Sequence, residues 1–216
     1  MNEDFYIQLK EAVFKYDKDQ ALHVAKQIIN ENGDVNIALD EMTDAIRKIG
    51  DEFACGNFFL PDLIGASTAM LSALPVLESE IKRRGGTREI IGKVVIGTVY
   101  GDIHNIGKAI VSTLLMASGF EVYDLGTNIK PEQFIEEVRK NKADILAMSA
   151  LMTTTAPEQR ATIELLIEKG LRDNVIVLVG GSAINDAFAE RIGADGYAPT
   201  APEGVELART LLVSKK

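Results

Sequence analysis

The apolar residues of this chain change their spacing once, close to residue 90, and that change divides the fold in two. Before it they recur every three to four positions, the period of a helix buried along one face. Phe5, Leu9, Ala12 and Val13 form one stripe, and Ala21, Val24, Ala25, Ile28 and Ile29 a second. Leu39, Met42, Ile46 and Ile49 mark a third over residues 35–53, and residues 63–77 a fourth that contains the small-residue run GASTAMLSA. Turns at YDKDQ, at ENGD and around Pro61 separate these stripes and predict a four-helix bundle. The segment SEIKRRGGTRE, residues 79–89, is charged and glycine-bearing and is expected to be a linker. It bounds a helical domain at 1–84 and a second domain at 85–216.

Beyond residue 90 short extended runs alternate with helical ones. Residues 94–99, 120–125, 145–148, 175–179 and 195–197 read as strands. Residues 106–117, 131–140, 157–169, 184–192 and 202–213 read as helices, with Pro131 at a favourable first-turn position. Strict alternation of this kind predicts an α/β domain, a doubly wound, Rossmann-like (flavodoxin-like) parallel sheet of five strands. In such a sheet the strand-to-helix loops share one edge, and ligands bind there.

Charge and composition narrow the ligand. Lys plus Arg number 23 against 32 Asp plus Glu, a formal charge of −9, so no electrostatic reason exists to expect nucleic acid as a partner. One cysteine, Cys55, excludes an internal disulfide and a multi-cysteine metal cluster. The start MNEDFYIQLK has no signal pattern, and no apolar run is read as approaching the roughly 20 residues that span a bilayer. The expectation is a soluble, cytoplasmic protein without a membrane partner.

Three loops fall on the ligand edge: GDIHNIGK (101–108), SALMTTTAP (149–157) and VGGSAI (179–184). The first is neither GxGxxG nor GxxxxGK[ST], and Ala109 after Lys108 offers no hydroxyl for magnesium, so a nucleotide loop is disfavoured. Asp102 and His104 stand two residues apart, a spacing that lets the carboxylate reach Nδ1 and leaves Nε2 free. That arrangement serves a metal ligand, a general base, or simply a loop histidine capping the next helix. One imidazole is too few to hold a free zinc ion, but suffices for a metal already held in a macrocycle. Ser149, Thr153, Thr154 and Thr155 offer uncharged hydroxyls, and Gly180-Gly181 offers either a tight turn or room for a large ligand.

Taken in order, Asp102-x-His104-x-x-Gly107, Ser149-x-Leu151 and Gly180-Gly181 resemble the cobalamin-binding signature of corrinoid-dependent methyl transfer. The likeness extends through VVIGTVYGDIHNIGKAIV, GFEVYDLG, VIVLVGGSAI and IGADGYAPTAPEGVELA, and into GNFFLPDLIGASTAM of the helical half. It is similar to the small corrinoid proteins that serve methanol, methylamine, betaine or methyl-ether methyltransferases, and to the cobalamin module of methionine synthase.

The resemblance implies a cobalamin or related corrinoid bound base-off, with His104 as the lower ligand of cobalt and Asp102 holding its Nδ1 proton. Thr155 would complete the relay, where the methionine synthase module has serine. Gly101, Ile103, Asn105, Ile106 and Gly107, with Thr153 and Thr154, would contact the cofactor. Ser149 and Leu151 would line a slot for the displaced nucleotide tail, and Gly180 and Gly181 would let the tail pass. The bundle would cap the upper face, with Phe58, Phe59 and Leu60 as lid contacts. The implied activity is a methyl shuttle. Cobalt(I) takes a methyl group from a substrate-specific methyltransferase and presents methyl-cobalt(III) to a second one, using tetrahydrofolate or coenzyme M, with a reductive activase in support. Such a component has no turnover of its own. A cobalamin-binding sensor or regulatory module is the other class implied.

Overall fold

The computed structural model describes residues 3–85 and 90–215. Its internal contacts divide into two compact units, 1–89 and 90–216. The first is all helical: α1 (Glu3–Phe14), α2 (Lys18–Asn30), α3 (Val35–Ala54) and α4 (Leu60–Arg83). Asp17 and Asp34 start α2 and α3 by accepting hydrogen bonds from the Gln20 and Asn36 N–H groups. The predicted stripes are the core. Leu9, Val24, Ile28, Met42, Ile46, Ile49, Leu63, Met70 and Leu77 are all buried, and each such side chain contributes about 1.5–3 kcal/mol.

Three expectations change in α4. Pro61 lies inside its first turn rather than in the preceding turn, because a helix start leaves the missing proline N–H without cost. The expected linker is helical as far as Arg83. Glu80 is buried and accepts from both Arg83 and Arg84, one helical turn on, and Arg84 Nη1 donates to the Gly33 carbonyl at 2.7 Å. These pairs draw the charged segment onto the bundle, and residues 86–89 of the expected linker lie outside the described residues. An 18-residue window of the 24-residue α4 has a mean hydropathy of 1.4, so the helix also has the length and composition of a membrane span, contrary to the sequence reading. Its Leu63, Ala66, Met70, Ala73 and Leu77 face is buried in the bundle.

The second unit follows the predicted alternation: β1 (Lys93–Thr98), α5 (Ile106–Ala117), β2 (Glu121–Asp124), α6 (Pro131–Asn141), β3 (Ile145–Ser149), α7 (Pro157–Glu168), β4 (Ile176–Gly180), α8 (Asp186–Ile192), β5 (Gly196–Tyr197) and α9 (Ala201–Lys215). A 3-10 turn at Arg172–Asn174 was not foreseen. The strands are all parallel in the order β2-β1-β3-β4-β5. The order reverses between β1 and β3, the place where open sheets of this kind take their ligands. Register aligns Thr98 with Ser149 and Ser149 with Gly180, so the three motif loops leave the sheet at one level.

The two faces of the sheet differ. Helices α6 and α7 pack on one, over a core of Val95, Phe134, Leu146, Leu166 and Val177. Helices α5 and α9 pack together on the other. There the strands present Ala147, Gly180 and Gly196, and the layer does not close completely.

Candidate functional site

At the end of β1 the chain turns sharply. The Asp102 N–H donates to the Val99 carbonyl at 3.1 Å, and Gly101 takes φ +76°, which glycine adopts without strain. The turn buries Asp102 completely. Its Oδ1 accepts from His104 Nδ1 at 2.7 Å and the His104 N–H at 3.0 Å. Its Oδ2 accepts from the Thr155 hydroxyl at 2.7 Å and the Leu151 N–H at 2.8 Å. Burial alone pushes this carboxyl up. The His104 N–H, the Thr155 hydroxyl, the His104 ring and the Leu151 N–H together outweigh it and hold the group well below the usual carboxylate range. Asp102 is therefore an acceptor only. The proton of the imidazole must sit on Nδ1, and Nε2 carries a lone pair on a side chain that is 46% exposed.

Asp102 also joins the loops on either side of the switch point, since Leu151 and Thr155 belong to the β3–α7 loop. Thr98, buried at the end of β1, donates to the His104 carbonyl at 3.0 Å. Around the imidazole, Ile103 and Ile106 are 76% and 65% exposed, and Leu151 and Met152 are partly exposed. Four apolar side chains left uncovered on two neighbouring loops of a ligand edge form a surface that water does not stabilise.

Behind this rim a cavity of about 390 Å³ opens between the sheet and α5/α9. It is lined at one end by His104 and Gly180 and at the other by Ile145 and Leu115. From Ile145 to Ser149 along β3 it is on the order of 13 Å deep. Its walls are mostly aliphatic or small, and Lys108, the one lysine in them, is buried with its Nζ paired to the Asp124 carboxylate.

The predicted residues separate on this geometry. His104, Gly107, Ser149, Leu151, Gly180 and Gly181 line the cavity. Gly101, Ile103, Asn105, Ile106, Thr153 and Thr154 lie exposed on the two loops outside it, and Thr155 is buried against Asp102. The two glycines have different reasons to be glycine. A Cβ on Gly181 would stand 2.0 Å from the Ala150 carbonyl oxygen, at φ +115°, so its side chain is forbidden by the protein's own backbone rather than by a ligand. A Cβ on Gly180 would meet nothing within 4 Å and would enter the cavity. Phe59 and Leu60 belong to the helical unit. Phe59 is 70% exposed at the start of α4, its N–H held by Asp62 Oδ2 at 2.7 Å, while Asp62 Oδ1 accepts from Tyr16 at 3.0 Å. Phe58 packs edge-on against Phe14.

Sequence reading missed the wall supplied by Tyr197, Ala198, Ala201, Gly204 and Ala208, and the Ile110–Val111 stretch of α5. The small residues of α9 at 201, 204 and 208 share one helix face, a signal equally typical of close helix packing.

The donor set tests what ligand fits. Among the described residues no group of three His, Cys, Asp or Glu could hold a bare ion. One outward Nε2, an apolar rim and a deep, neutral cavity beside Gly180 suit an organic ligand that carries its own metal and an extended tail.

Comparison with known proteins agrees. Residues 92–206 match the family model of a B12 binding domain, and residues 7–78 match a second model also described as a B12 binding domain. The chain is 42% identical over 207 residues to a corrinoid protein of Desulfitobacterium hafniense (strain Y51), covering 95% of this chain and 96% of that one. It is 40% identical over 210 residues to the dimethylamine corrinoid protein of Methanosarcina barkeri, covering 97% and 98%. The crystal structure of the methanol:cobalamin methyltransferase complex MtaBC from Methanosarcina barkeri superposes with a TM-score of 0.85 at 27% identity, covering 99% of this chain and 81% of that chain. The chain thus belongs to the family of B12-binding corrinoid proteins, and its ligand is cobalamin or a related corrinoid.

Proposed function

We propose that this protein is a methyl shuttle that carries a corrinoid base-off, with His104 Nε2 as the lower axial ligand of cobalt. The observation that carries the reading is the Asp102 carboxylate with its four donors, which orients the imidazole and keeps its proton on Nδ1. When bound, the corrinoid supplies a cobalt centre that takes up and gives away a methyl group. The chain's part is to bind, orient and adjust. The carboxylate fixes the imidazole's orientation and keeps its proton on Nδ1, which leaves the Nε2 lone pair for the metal. When the imidazole is released from the metal, Nε2 is the atom that takes up a proton, because Asp102 is stabilised as the anion. Ile103, Ile106, Leu151 and Met152 support the lower face and exclude water from it. Ser149, Leu151 and the open side of Gly180 receive the nucleotide tail in the cavity.

The helical unit covers the upper face between transfers, with Phe58, Phe59 and Leu60 as its contacts. The match of residues 7–78 to a B12 binding model and the exposure of Phe59 support that role. The partners are a substrate-specific methyltransferase, a second methyltransferase that passes the group to tetrahydrofolate or coenzyme M, and a reductive activase. The relatives that serve dimethylamine and methanol support the first of these. The acidic chain acts in the cytoplasm, without a nucleic-acid or membrane partner.

The test is reconstitution. Apoprotein mixed with hydroxocobalamin should retain one corrinoid per chain through gel filtration. Once reduced and methylated with iodomethane, it should lose the methyl group to a corrinoid:tetrahydrofolate or corrinoid:coenzyme M methyltransferase. A loaded chain that keeps its methyl group in the presence of both enzymes contradicts the shuttle.

A further inference from the structure

From the loop geometry we infer that Asn128, in the β2–α6 connection, is a positioning residue for the axial histidine. The inference rests on the reading of His104 as cobalt ligand. Asn128 lies outside the three motif loops and does not line the cavity. Yet its Oδ1 accepts the Gly101 N–H at 2.8 Å, and its own N–H donates to the Asp102 carbonyl at 3.0 Å. Asn128, left-handed at φ +60°, thus clasps two successive residues of the turn, accepting from Gly101, itself left-handed at φ +76°, and donating to Asp102. Asparagine is suited to this, because it tolerates the left-handed region and carries an acceptor on a short side chain.

The surroundings make the pair a fixed support. Val99 and Ile129 form a parallel bridge, the Ile129 N–H donates to the Thr98 carbonyl at 3.0 Å, and Lys130 Nζ lies 5.7 Å from the centre of the Tyr100 ring. The β2–α6 connection therefore follows the β1–α5 loop from Thr98 to Asp102. Both backbone groups of Asp102 are held, one by Val99 and one by Asn128, and its carboxylate stands on that backbone. An imidazole directed by the carboxylate inherits the position of the Asn128 contact. A ligating atom must be held to within about 0.5 Å and 10–20° of its working geometry, so slack in this backbone is transmitted to Nε2.

The experiment compares full-length Asn128→Gly and Asn128→Asp proteins with the parent, each loaded with hydroxocobalamin and reduced to cobalt(II). Glycine keeps the left-handed backbone and removes the acceptor, whereas aspartate keeps both. The ratio of histidine-on to histidine-off cobalt, read from the nitrogen-15 doublet of labelled histidine in electron paramagnetic resonance, should fall by up to roughly tenfold in Asn128→Gly, because Asn128 acts through Asp102, one step further out than the partners whose loss costs about 10–100-fold. Asn128→Asp should restore it. In the apoproteins, hydrogen exchange of the peptide spanning residues 99–105 should rise in Asn128→Gly and not in Asn128→Asp. Asn128→Ala, which also removes the acceptor, is the second variant should the glycine protein not fold, and it should lower the ratio in the same direction. A ratio unchanged in Asn128→Gly, or in Asn128→Ala where that stands in, overturns the inference. So does one lowered equally by Asn128→Asp. A His104→Ala control in nitrogen-15-histidine protein separates the two claims: a doublet that survives it refutes the ligation reading itself, whatever Asn128 does to exchange of the loop.

Discussion

The two faces of the central sheet use the same strands for opposite ends. Under α6 and α7, Val95, Phe134, Leu146, Leu166 and Val177 fill the space and are almost entirely buried. Under α5 and α9, the neighbouring positions on those strands carry Ala147, Gly180 and Gly196, and about 390 Å³ is left open. Since side chains alternate across a sheet, one residue step along β4 passes from a filled core at Val179 to an empty wall at Gly180. Stability is thereby concentrated on one face and ligand space on the other, so substitutions on the two faces should separate folding from binding.

The largest effect is expected on the filled face. Phe134→Ala removes a fully buried ring and should cost about 3–5 kcal/mol of stability, measured by urea unfolding of the apoprotein. A cost below about 1 kcal/mol, the range of exposed positions, would mean that this face is not the stabilising one.

The paired glycines sharpen the contrast within two residues. Gly181→Ala should destabilise the apoprotein by about 1–3 kcal/mol, since it strains the backbone and meets Ala150. Gly180→Val should leave apoprotein stability within about 0.5 kcal/mol, because its Cβ meets nothing. The same substitution should weaken corrinoid binding at least about tenfold in equilibrium dialysis, equivalent to about 1.4 kcal/mol. Native affinity in Gly180→Val would show that no part of the ligand passes that wall.

The smallest effect concerns acid stability. Asp102 is held below its ordinary range in the folded state, so its contribution is present above the unfolded carboxyl value and is lost as pH falls toward the folded one. Thr155→Val deletes one of the four donors and raises the folded value. The acid limb of apoprotein unfolding should then begin at higher pH than in the parent, followed by circular dichroism. An unmoved limb would mean that the Thr155 hydroxyl contributes nothing to the charge state.

Helices and strands were legible where apolar periodicity is long and strong. Residues 106–117 were read as a helix and form α5 over the same span. The end of α4 was not, because SEIKRR scores as charged and only the burial of Glu80 against two arginines shows it to be helix. At the site, Asp102 and His104 stood out as a close pair in a chain with two histidines. Thr155 lies 53 residues away, and only family resemblance joined it to them before the fold did. Asn128 left no trace, since a lone left-handed loop residue has no periodicity. The α9 wall was hidden for the opposite reason, because Ala201, Gly204 and Ala208 look like any small residues at helical spacing. Gly180 and Gly181, read together as clearance for a ligand, needed coordinates to be told apart.

The central claim is that His104 supplies the lower ligand of cobalt. The chain has only two histidines, His23 in α2 and His104, which makes isotopic labelling decisive. Protein grown with nitrogen-15 histidine, loaded with unlabelled hydroxocobalamin and reduced to cobalt(II), should show its axial nitrogen splitting change from triplet to doublet in electron paramagnetic resonance. The doublet should vanish in His104→Ala and persist in His23→Ala. A triplet that survives labelling would place the cofactor's own base on the metal and contradict the account.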